Sequence, residues 1–256
     1  PTVQVAEIIA TATVSSNVGA QTVELQSGYF GPVWHVATTG SDVTGDGSEE
    51  NPFATIQKAI DSIQSKYDFN NTNYVGITDS ILVHDGVYED DFEFDYASCL
   101  DSQTCDSINS TPNWIIISEN GAQNTKITGS LYNSCNAVNF EGFTFENSLF
   151  DFFDSCGPDP KYDLYDCVLV SCEYAPQILD NCTLIDNNFG DFGSIDTLTN
   201  SIVINSNIGD SWDFNHCVNN YGDVIWFNDT DNIFGSNPFF CDLENGDYSL
   251  AENSPC

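Results

Sequence analysis

The sequence predicts an all-β solenoid, closed at its N-terminal end by a short α-helix and preceded by a strand-rich extension. Three observations carry that prediction. A nine-residue pattern recurs four times, a single amphipathic helix stands near the start, and short apolar runs alternate with Asn, Asp, Gly and Ser turns elsewhere.

The repeat weighs most. FEGFTFENS from Phe140, LYDCVLVSC from Leu164, LDNCTLIDN from Leu179 and LTNSIVINS from Leu198 align without gaps. The first place is apolar each time, and the sixth is large and apolar: Phe145, Leu169, Leu184 and Val203. A turn former holds the third place (Gly142, Asp166, Asn181, Asn200), and the fourth carries Phe143, Cys167, Cys182 and Ser201. Successive side chains of a strand point to opposite faces, so this pattern turns one face inward. Spacings of 24, 15 and 19 residues fit one coil per repeat with loops of varying length. An antiparallel sandwich does not require one pattern to recur with turn residues at fixed offsets.

Upstream, FATIQKAIDSIQSKY places Phe53, Ile56, Ala59, Ile60 and Ile63 three and four apart, the spacing of one helix face, directly after Pro52. A helix there covers the edge that the first coil of a solenoid would otherwise expose. Residues 1–31 read as a separate β-rich extension, with AEIIATATVSS and AQTVELQSGYF flanking a turn at Asn17-Val18-Gly19, and residues 32–256 as the solenoid. The extension is strand-prone and nearly uncharged, and a hairpin of that size is too small to stand alone. It is expected to dock on its own solenoid or to contact another subunit, whether a second copy or another surface protein.

Composition narrows the function. The 256 residues carry 39 acidic side chains against 4 basic ones, all Lys (Lys58, Lys66, Lys126 and Lys161), for a net charge of −35. Nucleic acids and anionic membranes bind through Lys and Arg, so this surface excludes nucleic-acid partners. It favours solubility and divalent cations. No apolar run approaches the length of a membrane span. The chain begins at Pro1 without Met, and we expect a mature secreted form whose export signal has been removed.

The 10 Cys form no C-x-x-C pair and have only 3 His beside them, which points to disulfides in an oxidising compartment rather than to zinc. Cys99 and Cys105 bracket the short polar loop CLDSQTC and are expected to pair. Cys167 and Cys182 occupy the same place in consecutive repeats, where strand spacing brings Cα atoms within disulfide range, so a second bridge is expected there. Asn70, Asn109, Asn181 and Asn228 head N-glycosylation sequons, in a chain rich enough in Asn, Ser and Thr to produce such triplets by chance.

The two ends of the chain add a resemblance. VATTGSDVTGDGSEENPFATIQKAID (residues 36–61) resembles the N-terminal cap of secreted parallel β-helix proteins of the pectin-lyase-like superfamily. ILVHDGVYED resembles their V-x-x-G-x-Y element, FEGFTFENS their GFT-x-x-N rung, and NPFFCDLENGDYSLAENSPC (residues 237–256) their closing element. Together these span Trp34 to Cys256 and imply a right-handed parallel β-helix working outside the cell. They do not choose a function, since that superfamily holds lyases, glycosidases, epimerases and adhesins.

Groups capable of chemistry give sparse signals. A uronate lyase needs a base, usually Lys or Arg in this superfamily, beside a cation-neutralised carboxylate. Of the four Lys only Lys126, in NTKITGS, falls on a plausible rung. Glycoside hydrolysis needs two carboxylates about 5–5.5 Å or about 6.5–9.5 Å apart. With 39 acids, pairs such as Asp151 with Asp154, or Asp85 with Asp90 and Asp91, carry little specificity. In DVTGDGSEE, Asp42, Asp46 and Glu50 surround Gly47 like the opening of a calcium loop, although Phe53 stands where the closing Glu would be. Ca2+ is the cofactor such a loop would take. His35, His84 and His216 are scattered, match no nucleophile motif, and His84 reads as a strand end. Asn147, Asp186 and Asn205 share the eighth place of the repeat and are expected to stack in hydrogen-bonded ladders. The balance favours a non-enzymatic extracellular or cell-surface module, structural, adhesive or polymer-forming. A polysaccharide hydrolase or lyase, or a calcium-dependent glycan-binding module, is the alternative.

Overall fold

The computed structural model describes residues 32–66, 79–94, 113–133, 137–152, 161–173, 176–189, 195, 197–206, 216–218, 221–222, 233–234, 239–242, 245 and 247–252. The extension over residues 1–31, the Cys99–Cys105 loop, Asp154 and the sequons at Asn70, Asn109 and Asn228 lie outside the described residues.

The described chain is mostly β, built from parallel sheets with one helix, α1 (Ile56–Lys66). The first sheet stacks β1 (Val33–Val36), β2 (Ser80–Val83), β5 (Asn113–Ser118), β8 (Ala137–Glu141), β11 (Lys161–Tyr165), β13 (Ile178–Asp180), β15 (Thr197–Thr199) and β17 (His216–Val218), in that order. The second stacks β3 (Gly86–Tyr88), β6 (Thr125–Ile127), β9 (Thr144–Glu146), β12 (Val168–Val170), β14 (Thr183–Ile185), β16 (Ile202–Ile204), β18 (Tyr221–Gly222) and β19 (Ile233–Phe234). The third holds β4 (Phe92–Phe94), β7 (Leu131–Asn133) and β10 (Phe150–Phe152), and bridges through Leu149, Glu173 and Asn188 add further parallel pairings. An antiparallel pair, β20 (Phe240–Asp242) with β21 (Asp247–Leu250), comes last. From β2 to β10 the chain thus visits first, second and third sheets three times in that order, and from β11 to β18 it alternates between the first and second, returning one strand further along each time.

The nine-residue repeat is the unit of that cycle. Its first places, Phe140, Leu164, Leu179 and Leu198, are direct partners across the first sheet. Its sixth places, Phe145, Leu169, Leu184 and Val203, are direct partners across the second. All eight are buried. Between the two strands the chain turns in two residues, and the third place takes a left-handed backbone: φ is 77° at Gly142, 54° at Asp166, 55° at Asn181 and 51° at Asn200. The eighth place does the same at Asn147, Ser171, Asp186 and Asn205. Gly, Asn and Asp tolerate this conformation best, which is why they mark the corners in the sequence.

The core between the sheets is largely aromatic at the N-terminal end. Phe140 lies edge-on to Phe143, Phe145 and Phe94, with ring centroids 5.3–6.3 Å apart. Such edge-to-face contacts add to the burial of large rings. Further along, the fourth and ninth places carry small polar groups and thiols that bond to the backbone. Ser201 Oγ accepts from Cys182 N at 3.0 Å, and Asn187 accepts from Cys172 N at 2.8 Å while donating to Leu169 O at 2.9 Å.

The helix forms where the apolar spacing predicts it. Thr55 Oγ1 accepts from Lys58 N and caps its first turn. Ile56, Ala59, Ile60 and Ile63 are buried, whereas Phe53 lies ahead of the helix and bridges to Val36. Gln57 does further work at the third sheet. Its side-chain amide accepts from Glu93 N at 2.6 Å and donates to Glu93 O at 3.3 Å, standing in for a strand beside β4. At the first sheet, Gly47 and Phe53 take the backbone bonds of His35 and Ala37 on the β1 edge. Gly47 is needed there, because a Cβ would lie 2.6 Å from the Trp34 ring and 2.7 Å from the Phe53 ring.

Candidate functional site

Side chains on or directly after three neighbouring first-sheet strands meet where that sheet turns toward the second. His35 belongs to β1, His84 follows β2, and Glu119 follows β5. Val83 partners Ser118, so His84 and Glu119 are the next step of the same register. His84 Nδ1 lies 2.8 Å from Glu119 Oε2, and His84 Nε2 lies 3.1 Å from His35 Nδ1. The imidazole centroids are 5.3 Å apart with planes inclined by 30°. That separation exceeds the N···N distance by about two ring radii, so the two nitrogens face each other along the line joining the rings. Burial, followed by repulsion from His84, holds His35 below the ordinary histidine range, against the pull of Glu49, Glu119 and Glu50.

The corner after β5 is enlarged to six residues, 119–124, where the corners after β8, β11, β13 and β15 take two. Ser118 Oγ accepts from Gly121 N at 3.0 Å and bonds to Thr125 Oγ1 at 2.8 Å, which fixes the loop. Asn120 Nδ2 donates to Asp85 Oδ1 at 2.9 Å and ties it to the preceding corner. Scattered in sequence, His35 and His84 are neighbours here. The signal that joins them is the pairing of β1 with β2, which no local pattern discloses.

The calcium-loop residues are placed differently from one another. Asp42 Oδ1 accepts from Ala54 N at 2.8 Å and Thr55 N at 3.1 Å, and its Oδ2 from Thr55 Oγ1 at 2.7 Å. Asp46 Oδ1 accepts from Ser48 N at 3.0 Å and Ser48 Oγ at 2.7 Å, and Glu50 is exposed. Both aspartates thus hold the turn that leads into α1. Among the described residues, no three His, Cys, Asp or Glu side chains converge as a metal site.

The bridge expected between Cys167 and Cys182 is corrected: both are free, buried thiols. They precede β12 and β14 in register, as expected, and each sulfur donates to backbone carbonyls, Cys167 to Tyr165 O at 3.2 Å and Cys182 to Leu164 O at 3.4 Å. Side chains in register on parallel strands point the same way, so their Cβ atoms keep the strand spacing of about 4.7–4.9 Å. A disulfide wants Cβ atoms about 3.5–4.5 Å apart, and the expectation rested on the Cα criterion alone. Burial drives the Cys182 thiol well above its usual range and the Cys172 thiol up to about 12.

No family model, curated protein or solved structure matches this chain.

The remaining candidates stand on their own surroundings. Lys126 is engaged by Glu146 at 2.5 Å. Asp85 accepts from Asn120, and Asp91 Oδ1 accepts from Ser130 N at 2.7 Å. The outer face of the first sheet gathers Glu141, Tyr165 and Asp180 in one register row, with Asp163 in the row beside it. Polar side chains at both corner rows pair with carboxylates one strand away. Asn181 Nδ2 donates to Asp166, and Asn205 Nδ2 donates to Asp186 Oδ1 at 2.5 Å. Asn200 Nδ2 and Thr199 Oγ1 both donate to Asp180 Oδ1, at 2.8 and 2.6 Å. Asn181, the one sequon residue described, is exposed and spends its amide in this ladder.

Proposed function

We propose that the protein is a secreted right-handed parallel β-helix of the pectin-lyase-like kind, acting as a rigid acidic module in surface structure, adhesion or assembly. The cyclic path through three parallel sheets supports the winding. Parallel crossovers within a sheet are right-handed in about 98% of cases, which supports the hand. The observation that carries the function is the ladder construction. Exposed Asn side chains bond carboxylates one strand away at Asp166, Asp180 and Asp186, so the acidic side chains stiffen the stack they decorate. The net charge of −35 suits an extracellular medium rich in divalent cations and repels anionic polymers.

A second reading rests on the first-sheet face. Glu141, Asp163, Tyr165 and Asp180 supply carboxylates and an aromatic ring on one sheet, a surface suited to a neutral polysaccharide. Sedimentation of the protein from its natural source, together with exposure to neutral and uronate polysaccharides, separates the two. The structural reading expects discrete assemblies and intact polysaccharide; a monomer that shortens a polysaccharide overturns it.

A further inference from the structure

We propose that Glu119, His84 and His35 form a proton relay opening at His35 Nε2, a general acid–base site for neutral, hydroxyl-bearing ligands. This is independent of how the solenoid is used. An ionised carboxylate only accepts hydrogen bonds, so His84 presents Nδ1–H to Glu119. Neutral His84 then has its lone pair on Nε2, and the facing His35 Nδ1 must carry the proton between them. Each bond fixes the next tautomer. The chain ends with a lone pair on His35 Nε2, which makes no bond among the described residues and is not sealed from water.

A proton accepted at His35 Nε2 does not have to stay there. As it arrives, the His35 Nδ1 proton crosses to His84 Nε2. His84 becomes the imidazolium, held against Glu119, and His35 is neutral again with N–H on its outer nitrogen. The reverse sequence returns the proton, and only O–H and N–H bonds change on the protein side. Burial keeps charge off His35, in keeping with its placement on His84. His35 is therefore the group that touches ligand, while His84 and Glu119 are positioning residues.

The surroundings select the ligand. Glu49, Glu50 and Glu119 are all near enough to act on the charge of His35, and Asp85 follows His84 in the chain. Anionic ligands are repelled by this set and by the charge of the whole chain. An uncharged polyol or neutral glycan is the class that fits.

Two measurements on the full chain test the relay. In nitrogen NMR above pH 7, both His35 and His84 are expected as Nδ1–H tautomers, the minority form of free imidazole. Glu119→Gln keeps the hydrogen bond but removes the charge, and is expected to lower the pH at which the pair takes up its proton. An Nε2–H tautomer at His35 in the unmodified protein, or a proton uptake that Glu119→Gln leaves in place, overturns the relay. The second measurement uses 5-nitrobenzisoxazole, a neutral probe whose N–O bond breaks, giving a cyanophenolate, when a base removes its ring C–H proton. Its opening is expected to be faster with the intact protein than with His35→Gln by about tenfold or more. The pH profile of that excess should move with Glu119→Gln. Equal rates for the intact protein and His35→Gln sink the proposal.

Discussion

Asn181 shows how much a single corner residue contributes. Its φ of 55° puts it where β-branched side chains collide with their own backbone, and its amide bonds Asp166. Asn181→Val should cost on the order of 1–2 kcal/mol from the backbone alone, whereas Asn181→Gly loses the ladder bond and relieves the strain. Urea midpoints of the two variants check this; a valine variant as stable as the glycine one would contradict the corner geometry. The corner was legible in sequence because only a few residue types accept it, although Ser171, in the same conformation, gave no signal. The thiols were misread for the reason already given, that Cα distance is necessary for a bridge and not sufficient. Their burial yields a prediction about pH. Cys172 goes from an ordinary 9.0 to about 12 in the folded chain, so above about pH 9 the unfolded state sheds a proton that the folded state keeps. The unfolded state then binds fewer protons, and stability is present below pH 9 and lost as pH rises. For Cys172 the loss reaches on the order of 4 kcal/mol by pH 12, at about 1.36 kcal/mol per unit. Denaturation midpoints from pH 7 to 11, repeated with Cys172→Ala, should show a decline that the variant reduces. A flat profile in the intact protein would mean that the thiol is not held as described.

At the scale of elements, the cap helix was the most legible part of the molecule and its partner the least. Apolar spacing located α1 within a few residues, because one face of a surface helix must be buried. Nothing in the spacing says that the polar Gln57 would turn back and pair with Glu93. That contact follows from sheet order: β4 is the last strand of the third sheet, and its exposed amide and carbonyl need partners. Gln57→Ala should therefore destabilise the chain by about 1–2 kcal/mol, more than an exposed helix substitution usually does. It should also promote association through the uncovered strand edge. Thermal melting and light scattering read the two effects separately, and a variant unchanged in both would show that water serves β4 equally well. The His35–Glu119 chain was hidden for a related reason. Its members come from three strands whose adjacency depends on the whole winding, while each local sequence shows only a histidine or glutamate at a strand end.

For the molecule as a whole, charge and assembly are linked. A net charge of −35 makes the compact state repel itself, and cations that bind the folded form relieve that repulsion. Calcium at constant ionic strength should raise the melting temperature and excess chelator should return it; an unmoved midpoint counts against a specific site, the Asp42–Asp46 turn included. The same repulsion opposes loose association between copies, so any polymer needs contacts that tolerate like charge, and backbone pairing is one. Residues 1–31 offer two strand-prone runs with few charges, Val3–Val14 and Gln21–Phe30. The β1 edge of the first sheet is already bonded to Gly47 and Phe53, which leaves, among the described residues, the far ends of the two long sheets, β17 and β19, as the more accommodating partners. An extension that paired with β19 of a second copy would join molecules end to end and extend the parallel stack across the junction. Removing residues 1–31 should then reduce the mass in solution to that of one chain while leaving the melting temperature close to its original value. If the extension docks on the sheets of its own chain instead, the truncated chain keeps its mass and loses stability. Sedimentation equilibrium and thermal melting of the two forms, run side by side with and without calcium, distinguish these outcomes, and a truncated chain that assembles like the intact one would end the strand-addition idea.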